Sequence, residues 1–206
     1  RTAMDPFTRL RHVAATYTDA VGTAAEHTLG ADALAALDTD ATAIYAEATG
    51  ADPDTITALR EQPAWPTLRH HLARIELDTG DARARLRAAI DAGELDTAAD
   101  PAAVLHYRLD SRGTHSTGRG PLPWQPAIPA RLDADPAWGP YLRGRAALVD
   151  DLATRIRADV ATWDPATAPR WARPYLLADP TSTDLVADLA VYRAAVGVDD
   201  TDRRPA

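Results

Sequence analysis

Residues 138–163 read WGPYLRGRAALVDDLATRIRADVATW. Within them Leu142, Arg145, Val149, Leu152, Ile156, Val160 and Trp163 recur at near-heptad spacing, which sets one largely apolar stripe along a long helix. Trp138-Gly139-Pro140 opens that helix, because proline is preorganised for a first turn. A core face is the commoner use of such a stripe, and a coiled-coil seam the rarer one. Forward of it, Pro169 to Leu177 predicts a short helix interrupted at Pro174. Asp179-Pro180 then leads into a last helix carrying Leu185, Leu189, Tyr192 and Val196, stopped by Gly197. The polar tail after Asp199 reads as frayed.

Backward of it, residues 111–136 lose all periodicity: a Gly/Ser/Thr stretch, then Pro121-Leu122-Pro123-Trp124-Gln125-Pro126, then Ile128-Pro129. Proline at that density opposes helix and favours extended polyproline II geometry, so the segment reads as a linker between two small helical lobes. Further upstream, Leu10, Val13, Tyr17, Val21 and Ala24 mark a helix that ends at Leu29-Gly30. Ala31 to Thr49 forms another, which Asp38-Thr39-Asp40 is able to break and restart. Trp65-Pro66 to Gly80, a short helix capped by Asp81 and closed by Gly93, and one from Asp100-Pro101 carrying Val104, Leu105 and Leu109 complete the series. Arg1 to Thr8 stand outside the pattern and read as a cloning remnant. The expected organisation is a remnant at 1–8, an acidic helical lobe at 9–110, a Pro/Gly-rich linker at 111–136 and a C-terminal helical hairpin lobe at 137–206.

Composition agrees with an all-α class. Of 206 residues 46% are hydrophobic, alanine alone fills 45 positions, and Val, Ile and aromatics are too scattered for several strands. Every basic residue is Arg, which fits the coding bias of a GC-rich genome, such as an actinobacterium's. With no Cys, a disulfide framework, a thiolate metal site and a cysteine nucleophile are excluded. No apolar run reaches about 18 residues and no leader opens the chain, so the expectation is a soluble cytoplasmic protein without a membrane span. Net charge is −8, all of it in residues 9–110, where nine Arg face seventeen Asp or Glu. That lobe repels a phosphate backbone.

Candidate chemistry is thin. Gly113 to Gly120 superficially resembles a phosphate loop, but Arg119 stands where Lys is needed, Gly120 where a hydroxyl is needed, and Pro121 opens no helix. His70 and His71 are adjacent and point about 100° apart on a helix, so they cannot share an ion unaided, and His106 with Asp110 lacks a third ligand. Surface or interhelix hydrogen bonds are the expected histidine roles. No Ser lies in a nucleophile elbow, and neither a cofactor, a metal, a catalytic group nor a small-molecule substrate is inferred. Arg108, Arg112, His115 and Arg119, flanked by Tyr107 and Trp124, form the one locally basic stretch, able to grip single-stranded DNA by charge and stacking or to meet a partner. An ordinary solvated loop is the simpler reading. Trp65, Trp138, Trp163 and Trp171 sit at helix ends as core staples, and Trp124 is the one expected at the surface.

Several strings resemble the C-terminal region of actinobacterial MobF-type conjugative relaxases, the relaxase–helicase proteins that nick and unwind plasmid DNA. They are Leu95 to Leu105, Gly120-Pro121-Leu122-Pro123-Trp124, Trp138-Gly139-Pro140-Tyr141-Leu142, Asp188 to Val198, and Asp202-Arg203-Arg204-Pro205. Leu10-Arg11-His12-Val13 and Leu29-Gly30-Ala31-Asp32 are similar as well, so the likeness spans most of residues 9–206 and is weakest from 38 to 62. In that family nicking uses a histidine triad with tyrosine nucleophiles, and unwinding uses Walker motifs. Neither set occurs here. The resemblance implies a non-catalytic accessory domain that docks other conjugation proteins or other domains of its own polypeptide, with single-stranded DNA handling as the alternative.

Overall fold

A computed structural model of the chain describes residues 5–95, 97–109, 119–178, 182–202 and 204. Asp-Pro dipeptides start several of its helices: the carboxylate accepts a first-turn N–H while proline presets the backbone. Asp5 Oδ1 accepts from Phe7 N (3.0 Å) at the head of α1 (Pro6–Leu29), and after α2 (Ala31–Thr49) Asp52 Oδ1 accepts from Thr55 N (2.8 Å) at α3 (Pro53–Glu61). α4 (Trp65–Thr79) closes on Gly80, whose left-handed φ of 69° lets its N–H reach the carbonyls of Ile75 and Glu76. α5 (Ala82–Asp91) precedes α6 (Pro101–Leu109), where Asp100 Oδ1 accepts from Ala103 N (2.9 Å) and its Oδ2 from Ala64 N (3.1 Å), tying α6 to the approach to α4. One turn, α7 (Ala130–Asp133), is followed by α8 (Trp138–Val160), which Asp135 Oδ1 caps through Ala137 N and Trp138 N, both at 2.8 Å. α9 (Arg173–Ala178) and α10 (Thr183–Val196) complete the ten helices of the described residues, which contain no strand. The chain is all-α. Among the described residues no helix is long and apolar enough to cross a membrane.

Several bounds differ from expectation, each for a local reason. α1 begins at Pro6, and Phe7 stacks on Trp163 with centroids 6.2 Å apart, so residues 6–8 belong to the first helix. α2 is unbroken at 38–40, because the Thr39 and Thr42 hydroxyls donate back to the carbonyls of Ala35 and Asp38 rather than capping a new start. α3 was not expected. Asp81 makes no side-chain cap to α5; its carboxylate accepts from Arg85 Nε at 3.0 Å instead. Pro174 falls in the first turn of α9, where it interrupts nothing.

The helices form two compact units. One is Thr18–Arg143 and the other combines Arg1–Tyr17 with Gly144–Ala206, so α1 and α8 each contribute to both. These bounds replace lobes at 9–110 and 137–206. The described part of the expected linker, 119–136, lies inside the first unit, where Leu122 and Leu132 are buried between the prolines. In that unit α4 is the hub: Leu68, Leu72, Ala73 and Ile75 are fully buried, α5 and α6 pack on it and on each other, and α2 packs on both α4 and α5. Each such Leu or Ile stabilises the fold by about 1.5–3 kcal/mol. In the second unit the stripe of α8 is a core face, as expected: Val149, Leu152, Ile156 and Val160 are buried, as are Trp171, Leu176, Val186 and Val191.

Candidate functional site

Of the five residues expected to meet nucleic acid or a partner, Arg108, Arg119 and Trp124 lie among the described residues. Arg108 turns inward from α6 onto the end of α5. Its Nη1 donates to Ala89 O (3.1 Å) and Gly93 O (3.0 Å), and its Nη2 to Glu94 O (2.9 Å). Ala89 contributes one of the carbonyls that the C-terminus of α5 leaves without a helical partner, Gly93 and Glu94 lie in the turn just after it, and a cation there also answers the helix dipole. Arg112 and His115 lie outside the described residues. Arg119 is exposed and bridges Pro126 in antiparallel fashion, while Gly120 N donates to Gln125 O at 2.8 Å. The segment is therefore a closed turn rather than an extended strand of polyproline II. Only glycine fits at 120, where a Cβ would stand 2.2 Å from the Pro126 carbonyl oxygen. Buried Gln125 anchors the turn by donating from Nε2 to Thr18 Oγ1 at 3.2 Å. Trp124, expected at the surface, is half-buried.

The polar groups of the first unit join helices. Arg69 of α4 donates to both oxygens of Glu26 on α1, at 2.8 and 3.2 Å, and its Nη1 lies 3.6 Å from Asp38 of α2. The Glu26 hydrogen bond holds the Arg69 guanidinium above its usual range. Burial pushes the Asp38 carboxyl up, and the charges of Arg69 and Arg60 oppose that rise. His70 and His71 diverge as the helical angle requires. His70 packs over Gly22 of α1, with Glu26 Oε1 at 3.7 Å, whereas fully buried His71 meets His106 of α6, Nδ1 to Nδ1 at 3.1 Å. That contact needs one protonated and one bare nitrogen, so the pair holds a single proton between its facing atoms. Asp110 lies outside the described residues, and among the described residues no group of three or more His, Asp or Glu is placed to hold a metal.

The second unit carries three further features. Arg193 of α10 is buried with its guanidinium 4.7 Å from the Trp171 ring centroid. It donates to the carbonyl oxygens of Asp199 (2.7 Å), Asp202 (2.9 Å) and Arg204, so the described tail is clamped rather than frayed. In a groove of about 910 Å³, lined by Phe7, Arg155, Asp159, Trp163 and Asp164 among others, Trp163 Nε1 donates to Asp159 Oδ2 at 3.1 Å and Arg155 pairs with Asp151 one turn before it. The third feature is α10 itself, which is apolar on two faces, with Asp184 and Asp188 on an exposed edge between them. It buries Val186, Ala187, Ala190, Val191 and Ala194 and turns its bulkier residues outward, with Leu185 54% and Val196 42% exposed. Leu177 of the adjoining α9 is 69% exposed. Exposed apolar side chains grouped in this way are characteristic of surfaces that another molecule covers. Comparison with family models, with curated proteins and with solved structures gives no match, so the relaxase resemblance rests on the quoted strings alone.

Proposed function

We propose that this chain is a non-catalytic helical interaction domain of a conjugative relaxase–helicase, docking other proteins of the transfer machinery in the cytoplasm. The observation that supports this reading is the outward apolar face of α10, which folding leaves uncovered at Leu185 and Val196. The side chains best equipped for chemistry are engaged elsewhere: Arg108 and Arg193 on backbone carbonyls, Arg69 on Glu26, His71 on His106. The relaxase context comes from the sequence resemblance. The rival reading, single-stranded DNA held by the stretch from Arg108 to Trp124, retains Arg119 and Trp124 but loses Arg108 to the α5 terminus.

Two titrations decide between them. The purified chain is measured by biolayer interferometry against an actinobacterial relaxase–helicase core and against its coupling ATPase, and by anisotropy against labelled single-stranded DNA at low and near-physiological salt. Saturable protein binding that Leu185→Asp weakens supports the docking reading. DNA binding with a steep salt slope, lowered by Arg119→Ala, with no protein binding, would replace it.

A further inference from the structure

We infer that the outward ridge of α10 receives an amphipathic helix bearing basic side chains along the edge that faces Asp184 and Asp188, a proposal that rests on the docking reading. Leu185, Leu189, Tyr192 and Val196 are spaced by four, three and four residues, which is the spacing of a coiled-coil seam. At 3.6 residues per turn they lie within an arc of about 60°. Leu189 and Tyr192 are half-buried between the two exposed ends of the ridge. A long ridge of this kind is covered most completely by another helix, whose side chains enter the gaps between its own.

Charge defines the occupant. One edge of the ridge passes straight into buried Val186 and Arg193, and the other carries exposed Asp184 and Asp188, one turn apart. Asp188 Oδ1 accepts from Arg157 Nε at 3.0 Å, and Asp184 makes no ion pair among the described residues. At the C-terminal end Arg11 lies across Gly197, where a Cβ would stand 2.7 Å from its Cδ, so the acidic edge is confined to the first half of α10. Two α10 helices related by an antiparallel two-fold axis set this acidic half of the flank against its own C-terminal half, where α10 carries Ala195 and no cation, so a second copy supplies no matching charge from α10 itself. A helix with Lys or Arg on that flank brings opposite charges together instead.

The test titrates the full chain into a labelled synthetic helical peptide of about 21 residues. The peptide has Leu at every seam position and Lys on both flanks, and a matched peptide carries Glu on both flanks. The Lys peptide should bind at least about tenfold tighter, with high salt narrowing the difference. Leu185→Asp, at an exposed site, should weaken it at least about tenfold with the circular dichroism unchanged, and Asp184→Lys with Asp188→Lys should reverse the preference. Equal affinity for the two peptides, no binding of either, or indifference to Leu185→Asp overturns the proposal. So does self-association that Leu185→Asp abolishes, since the ridge then belongs to a second copy. Failure here with retained binding to the relaxase–helicase core leaves docking in place and moves it off α10; the reverse keeps the ridge and removes the relaxase context.

Discussion

Replacing Arg108 by Ala asks whether this side chain serves the fold or a ligand. Three hydrogen bonds from a charged donor are lost, to Ala89 in the last turn of α5 and to Gly93 and Glu94 in the turn after it, and those carbonyls are left to water. A charge-assisted hydrogen bond contributes about 1.5–3 kcal/mol when sheltered. Only the bond to Ala89 is partly buried and the other two are at the surface, so the three together amount to about 2 kcal/mol. For a chain of this size 1 kcal/mol moves Tm by about 2–4 °C, which gives a fall of about 4–8 °C in a melt followed by far-ultraviolet circular dichroism. Hydrogen exchange should quicken first in α5. Arg108→Lys keeps the charge but not the planar fork that spans three acceptors, and should recover less than half of the loss. A melt of Arg108→Ala within about 1 °C of the wild type would refute the reasoning and return Arg108 to the pool of surface cations.

Gly22→Ala places a Cβ 2.5 Å from His70 Cγ and 2.7 Å from its Cβ, near the root of the side chain, where no rotation relieves it. Urea denaturation should show a loss of about 1–3 kcal/mol, and an unchanged midpoint would mean that α1 and α4 separate freely. Arg193→Ala removes the donors to the carbonyls of Asp199, Asp202 and Arg204, so amide exchange over 199–204 should accelerate; unchanged exchange would dismiss the clamp. The N–H groups of Trp138 and Ala137 hold the Asp135 carboxyl below its ordinary value of 3.8. Its folded pKa is thus the lower one, so its contribution is present above 3.8 and is lost as pH falls through the folded value. The stability gap between wild type and Asp135→Ala should therefore shrink as pH falls below 3.8, and a gap that does not narrow there would contradict the capping role.

The helical class was legible because its signals are local. Alanine density, Asp-Pro starts and glycine stops act within one turn, and Gly30, Gly80 and Gly197 end helices where expected. The divergence of His70 and His71 was equally readable, since it follows from the helical angle alone. What escaped was long-range. Nothing near Arg108 in sequence announces that its acceptors lie 14 to 19 residues upstream. The prolines of 119–136 read as an extended spacer, yet Leu122 and Leu132 find a core and Gln125 finds Thr18 across 107 residues. α10 is the most instructive case. Its Leu185, Leu189, Tyr192 and Val196 compose the more obvious stripe, but the smaller Val and Ala face is the one buried. A helix with two apolar faces offers the core two candidates, and periodicity cannot choose between them.

One compact unit draws on both ends of the chain, Arg1–Tyr17 and Gly144–Ala206, while the other is built from the continuous stretch between them. On the ribosome this imposes an order of events. Thr18–Arg143 has all its own partners as soon as Arg143 emerges, whereas Leu10, Ala14 and Tyr17 are made early and wait, uncovered, for the second half of α8 and for α9 and α10 to be translated. That interval is the period in which a holdase chaperone would engage the nascent chain, and slow synthesis across 144–206 would lengthen it.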